Sequence, residues 1–231
     1  LLQPLSAAKL YVSSLADRFP GTEEHRVLEK AESALTSAAQ IIDALLDISK
    51  LDGDGLHFDI RAVKLTEILQ PLRDEMSVLA ERKGLEMRIV ESHLIVDSDA
   101  TYLRRVVQNL LANAIRYTET GKVLVGVRRN GGSARIEVWD TGPGIAEDDQ
   151  NAIFEEFRRL DTKASRNEGL GLGLAIVERA CARLGHPLGL WSEVGRGSCF
   201  MVNVPIAGFQ SGPRDPRRSA PRPVHLGHAG L

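Results

Sequence analysis

Asn109-Leu-Leu-Ala-Asn113-Ala-Ile-Arg116-Tyr117 is followed by Asp140-Thr-Gly142-Pro-Gly144, then by Gly169-Leu-Gly171-Leu-Gly173, then by Gly195-Arg-Gly197-Ser198. Each segment alone fits many folds. The ordered series fits few, because it asks for a polar helix edge, a carboxylate at a strand end and a glycine turn opening a helix. A chain that carries all of them has to alternate helices with strands.

The first fifty residues are different in kind. Residues 5–19 and 24–51 read as helices separated by Phe19-Pro20-Gly21-Thr22, a breaker followed by an N-cap. The second repeats Val27/Leu28, Ala31, Leu35, Ala38, Ile41/Ile42, Leu45/Leu46 and Ile48 at three-to-four spacing. That stripe is too wide for one hairpin to cover. Either two hairpins bury each other as a four-helix dimer or the hairpin packs on its own downstream domain.

Asp52-Gly53-Asp54-Gly55 ends the helices, and alternation over 57–63 predicts a strand. A helix is expected from Thr66 to about Lys83, strands near 85–90 and 94–96, and a helix over 100–117 capped by Asp99. Strands 122–129 and 134–140 flank the turn Asn130-Gly131-Gly132. Residues 141–169 form a polar, glycine-punctuated connection with a helical fragment from Ile153 to Leu160, a length that favours a functional loop. A helix at 171–184 and strands at 188–192 and 198–205 complete an α+β chain. From Gly208 onward Pro, Arg, Gly and His dominate without periodicity, as in a linker or disordered tail. The expected division is 1–52, 56–206 and 207–231.

Composition narrows the function. Hydrophobic residues at 43% and charged residues at 26% suit a globular protein. A net charge of −2 argues against a broad nucleic-acid surface, and no nucleic-acid partner is expected. Cys181 and Cys199 have no metal-ligand spacing and read as packed, reduced thiols of a cytoplasmic protein. No apolar run approaches the ~18 residues of a membrane span. The first residue is Leu1, not methionine, so a longer chain is expected, with any sensor or membrane anchor outside these residues.

On a helical wheel Asn109, Asn113, Arg116 and Tyr117 share one edge, beside an apolar face of Leu103, Val107, Leu110, Leu111 and Ala114. An Asn carbonyl is a hard oxygen ligand for Mg2+, leaving phosphate and water oxygens to complete the octahedron. Arg116 neutralises phosphate and Tyr117 flanks a nucleotide. Asp140, where a strand opens into a loop, suits the exocyclic amine of adenine, and Gly142 and Gly144 let backbone approach the base. Gly169 to Leu174 runs into a helix whose free amides attract a triphosphate. No Gly-Lys-Ser/Thr comes after it, so it is not a Walker loop. Phe154 and Phe157 would anchor a closing lid, with Arg158, Arg159, Lys163 and Arg166 in reach of the γ-phosphate. Gly195-Arg-Gly197 is the least specific cluster, and a simple strand-connecting turn explains it nearly as well. The parts together are those that hold Mg-ATP.

With these motifs the chain, over about residues 1–206, resembles the sensor histidine kinases of two-component signalling within the GHKL ATPase superfamily. Asn109 and Asn113 match the N box, the second asparagine being the family's Mg2+ ligand. Asp140, Gly142 and Gly144 match the first glycine box, Phe154 and Phe157 the F box, Gly169, Gly171 and Gly173 the second glycine box, and Gly195 and Gly197 the third. The resemblance implies a dimerisation hairpin before a Bergerat-type α/β sandwich with a mixed sheet. The nucleotide set expected is Asn109, Asn113, Arg116, Tyr117, Asp140, Gly142, Gly144, Ile145, Phe157, Arg158, Gly169, Leu170, Gly171, Leu172, Gly173, Leu174 and Ser198, with Asn109 and Asn113 catalytic.

Leu1-Leu2-Gln3-Pro4-Leu5 is similar to the tail of an H box, which sets the phosphoacceptor histidine two positions before Leu1. His25 lacks the following acid and reads as a surface histidine. Gln3 stands where many relatives carry the Thr or Asn that supports phosphatase activity. The implied activity is transfer of the γ-phosphoryl of Mg-ATP to histidine and on to a response-regulator aspartate or an attached receiver domain, by a homodimer. Two alternatives stand beside it: a GHKL ATPase, which needs a Glu at the place of Asn109 to activate water, and a catalytically silent pseudokinase.

Overall fold

Thr22 stops one helix and starts the next. Its hydroxyl donates to the Phe19 carbonyl at 3.0 Å and accepts the His25 amide at 3.2 Å. The two helices are α1 (Leu2–Ala16) and α2 (Glu23–Asp52), which pack together as a hairpin. The first ends three residues short of the expected position because Pro20 pushes the chain ahead of it out of helical geometry. The computed structural model describes residues 2–53, 55–158 and 171–208, and these fall into two compact units.

The first unit joins the hairpin to residues 148–184. It contains a 3-10 turn at Ala152–Phe154, in place of the longer helical fragment expected, and α5 (Gly173–Leu184). The last helix packs against α2, burying Ile48 and Leu51 of α2. Arg179 Nε donates to Asp52 Oδ1 at 3.0 Å. Leu10, Tyr11 and Val27 of the hairpin remain exposed at 69%, 73% and 57%.

The second unit comprises residues 59–147 and 185–208 of the described chain. Two short strands, β1 (Arg61–Lys64) and β3 (Ile95–Ser98), pair antiparallel. The expected strand over 57–63 shrinks to four residues. Its pairing ends at Arg61↔Ser98, because Asp99 leaves β3 to cap a helix and residues 57–60 find no partner strand.

The main sheet runs β2-β4-β5-β7-β6, from β2 (Glu86–Ile89), β4 (Lys122–Asn130), β5 (Ser133–Asp140), β6 (Leu188–Glu193) and β7 (Gly197–Pro205). Only the β2–β4 pair is parallel, so the sheet is mixed. Gly131, at φ 60°, lets the chain reverse between Asn130 and Ser133. Two helices, α3 (Leu65–Arg82) and α4 (Ala100–Tyr117), cover one face of the unit. Leu69, Leu72, Val107, Leu111, Val125, Ile136, Val138 and Val202 form its core, each worth about 1.5–3 kcal/mol of burial. The α+β expectation with a helical hairpin and a mixed sheet therefore holds.

Both cysteines are free and buried, and burial pushes the Cys181 thiol up to about 12. No helix among the described residues is long and apolar enough to cross a membrane.

Candidate functional site

In the second unit the site begins with α4. Asp99 Oδ1 accepts the Thr101 and Tyr102 amides at 2.9 and 3.1 Å, as a cap should. Its Oδ2 takes the Asp59 amide at 3.0 Å. Leu103, Val107, Leu110, Leu111 and Ala114 are buried, while Asn109, Asn113, Arg116 and Tyr117 lie half-buried along the edge. The wheel is realised residue for residue. Asn109 Nδ2 donates to the Arg105 carbonyl at 2.9 Å, which turns its own carbonyl oxygen away from the helix backbone. The Asn113 amide has no hydrogen-bond partner among the described residues, so both its ends are available to a ligand.

Asp140 closes β5. Its Oδ1 accepts the Gly142 amide at 2.8 Å and the Ser198 amide at 3.3 Å. Its other oxygen accepts nothing from the described residues. Burial pushes the Asp140 carboxyl above the usual carboxylate range, with the two amide bonds working against that rise. The result is a half-satisfied, partly desolvated carboxylate aimed by fixed backbone.

The glycines around it are there for space. A Cβ on Gly142 would stand 2.9 Å from Asp140 Oδ1 and 3.2 Å from the Tyr117 carbonyl. Gly144, at φ +70°, would put a Cβ into the Glu193 carbonyl, and Gly197, at φ +99°, into the Asp140 carbonyl. The Gly195 amide donates to the Pro143 carbonyl at 2.7 Å. The turn between β6 and β7 is therefore packed onto the loop after β5. Of the cluster read as least specific, Gly197 is sterically fixed.

Ser192 was not foreseen. Its hydroxyl accepts the Ile145 amide at 2.8 Å, donates to the Gly197 carbonyl at 3.2 Å and stands 2.9 Å from Ser198 Oγ. The signal existed: once the turn is placed at 193–197, antiparallel pairing sets Ser192 opposite Ser198. Asp140, Gly142, Gly144, Ile145 and Ser198 are thus brought together, with the Tyr117 carbonyl beside them.

The remaining expected residues lie in the first unit. The Phe157 amide donates to the Gly171 carbonyl at 3.1 Å, and a Cβ on Gly171 would meet the Arg158 carbonyl at 2.7 Å. Phe157, Arg158 and Gly171 are therefore adjacent. Gly173 opens α5, and the Leu172 carbonyl accepts the Ile176 amide at 3.0 Å. Leu172 is 2% exposed, which gives its side chain to the core rather than to a ligand, while Leu174 is half-buried. Ile153 is buried in this segment, whereas Phe157 is 58% exposed, with backbone in the left-handed region at φ 60°. Gly169, Leu170, Arg159, Lys163 and Arg166 lie outside the described residues.

No cluster of three or more His, Cys, Asp or Glu suited to a metal ion occurs among the described residues. The donor set that fits a hard cation is instead the open amide of Asn113, with a ligand's own phosphate oxygens completing the shell.

Comparison with known proteins gives this geometry its class. The model of the histidine kinase-, DNA gyrase B-, and HSP90-like ATPase family matches residues 98–208. The sensor histidine kinase RcsC of Escherichia coli (strain K12) is 32% identical over 189 residues, which cover 80% of this chain and 20% of RcsC. The sensor-like histidine kinase SenX3 of Mycolicibacterium smegmatis (strain ATCC 700084 / mc(2)155) is 34% identical over 183 residues, 78% of this chain and 48% of SenX3. Full-length ShkA, solved in complex with AMPPNP, superposes with a TM-score of 0.69 at 26% identity, over 86% of this chain and 46% of that one. The chain spans about a fifth to a half of the curated relatives it matches. Residues 98–208 are thus a GHKL-type ATPase domain. The chain carrying them is similar to sensor histidine kinases over 80% and 78% of its length in the two relatives named.

Proposed function

We propose that this chain binds Mg-ATP and supplies its γ-phosphoryl to a histidine, from which it passes to a response-regulator aspartate. The observation that carries the reading is Asp140, held by two backbone amides on one oxygen and open on the other. That arrangement accepts an exocyclic amine, so adenine is preferred to guanine. Arg116 and Tyr117 flank the nucleotide. Gly169 to Leu174 takes phosphate at the start of α5, with Phe157 and Arg158 contributing from the segment before it. Mg2+, when bound, draws charge off the phosphates; Asn113 is the residue that would hold it, supported by Asn109.

An amide at Asn109 cannot deprotonate water, which favours transfer over hydrolysis. Ile145 and Ser198 complete the adenine end. Residues 1–52 act as the dimerisation hairpin of a homodimer and 56–206 as the catalytic domain.

None of the six histidines is proposed as the phosphoacceptor. His25, the one in the hairpin, has Nδ1 2.9 Å from the Ala16 carbonyl and Nε2 3.5 Å from Glu29, which ties it to the helical turn.

Calorimetry of the 231-residue chain with Mg-ATP and Mg-GTP tests the reading. ATP is expected to bind and GTP to bind more weakly, while γ-labelled ATP leaves no label on the chain. No ATP binding, or equal binding of both, removes the adenine site. Label on His25 removes the acceptor assignment.

Asn113→Ala is expected to cut phosphoryl transfer to an added histidine-bearing hairpin by about 100-fold while changing nucleotide affinity little, since the lost group acts at the phosphate end. Transfer at the wild-type rate would exclude Asn113 as a metal ligand.

A further inference from the structure

The last carbonyls of α4 show where its polar edge is held. The Ala114 carbonyl receives the Thr118 amide at 3.1 Å and the Thr118 hydroxyl at 2.7 Å. The carbonyls of Ile115, Arg116 and Thr118 all receive one group, the ammonium of Lys83, at 2.8, 2.5 and 3.1 Å. Lys83 comes directly after α3, and its own backbone amide is spent on the Ala80 and Glu81 carbonyls. Three N–H donors thus meet three helix-end carbonyls, and a positive charge sits at the negative end of the helix dipole.

We propose that Lys83 is a positioning residue for the nucleotide. The carbonyl between its targets, Tyr117, is the one that would stand 3.2 Å from a Cβ on Gly142, and Asp140 Oδ1 would stand 2.9 Å from the same atom. Gly142 therefore lies beside both the Tyr117 carbonyl and the Asp140 carboxylate. A turn at 115–118 that relaxes by a few tenths of an ångström moves Tyr117 and its carbonyl, and through Gly142 it alters the aim of Asp140. The carbonyls that Lys83 holds belong to the helix end, not to Asp140. Lys83 acts by fixing the helix end against which the adenine loop is packed, from a position 35 residues earlier than Thr118.

This inference rests on the adenine reading, and the wild-type measurement separates the two. Lys83→Met keeps the stem and removes the donors and charge. With Mg-ATP and Mg-GTP in calorimetry, the variant is expected to lose about tenfold in ATP affinity, a fraction of what three charge-assisted bonds are worth, and to lose most of its preference for ATP. Lys83→Arg, which still donates to several carbonyls, is expected to restore the preference. A residue with a purely structural role would lower the melting temperature and leave the ATP-to-GTP ratio unmoved. Wild-type affinity and ratio in Lys83→Met overturn the proposal. Should that variant fail to fold, Lys83→Gln, with a shorter neutral donor, decides by the same ratio. Absence of ATP binding by the wild type overturns the adenine reading itself.

Discussion

Asp140→Asn is expected to weaken ATP binding by roughly 10- to 100-fold, the worth of one charge-assisted hydrogen bond. The substitution leaves an oxygen for the Gly142 and Ser198 amides and turns its new NH2 toward the ligand. Two donors then face each other where a donor met a carboxylate. The same variant should melt no lower than wild type without nucleotide. Burial raises the Asp140 carboxyl, so the folded protein holds a proton there more tightly than the unfolded chain, and ionised Asp140 costs stability above that pKa.

The pH dependence has the same sign. In the proposed adenine contact, ionised Asp140 is the binding form. The wild-type advantage over Asp140→Asn is full above the raised pKa and disappears as pH falls through it, at a higher pH than an ordinary aspartate would show. Taking the ratio of the two affinities cancels the titration of ATP itself. A ratio independent of pH, or equal affinities, would refute the role given to Asp140.

The second large effect separates space from backbone freedom within a single turn. Gly195 and Gly197 both have positive φ, at +81° and +99°. Around Gly195 a Cβ would meet nothing within 4 Å, whereas at Gly197 it would lie 2.0 Å from the Asp140 carbonyl. Gly195→Ala is expected to cost only the left-handed penalty of about 1–2 kcal/mol. Gly197→Ala carries that penalty and a backbone collision, so a loss above about 3 kcal/mol in urea unfolding is expected, together with loss of ATP binding. Equal costs for the two would show that the turn does not bear on Asp140.

What could be read from the sequence was local. Asp99 and the α4 stripe are settled within one or two turns of chain, and the hairpin at 131 within four residues. The contacts that complete the site are distant ones. Ser192 meets Ile145 across 47 residues, and Lys83 meets the end of α4 across more than 30; neither leaves a periodic trace. The strand expected over 57–63 failed for a related reason. Alternation reports a preference for extended chain, while strand length is set by the partner, and β3 offers only four residues. The helical fragment expected over 153–160 is a 3-10 turn at Ala152–Phe154, because a spacing of three between aromatics does not by itself fix a longer helix.

The two amides on Asp140 are made at different times in the chain's synthesis. Gly142 is two residues away and in place at once; Ser198 arrives 58 residues later, when β7 pairs beside β5. A growing chain that has reached only Gly185 therefore carries every residue of the α4 edge and Asp140 itself, yet lacks the strand that aims it. ATP gives nothing to such a chain. It rewards only the finished sheet, by about 2.7 kcal/mol at a concentration a hundred times its dissociation constant. In a cell rich in ATP, the nucleotide would act as a late quality check, holding molecules whose last strand has docked and leaving the others to proteases.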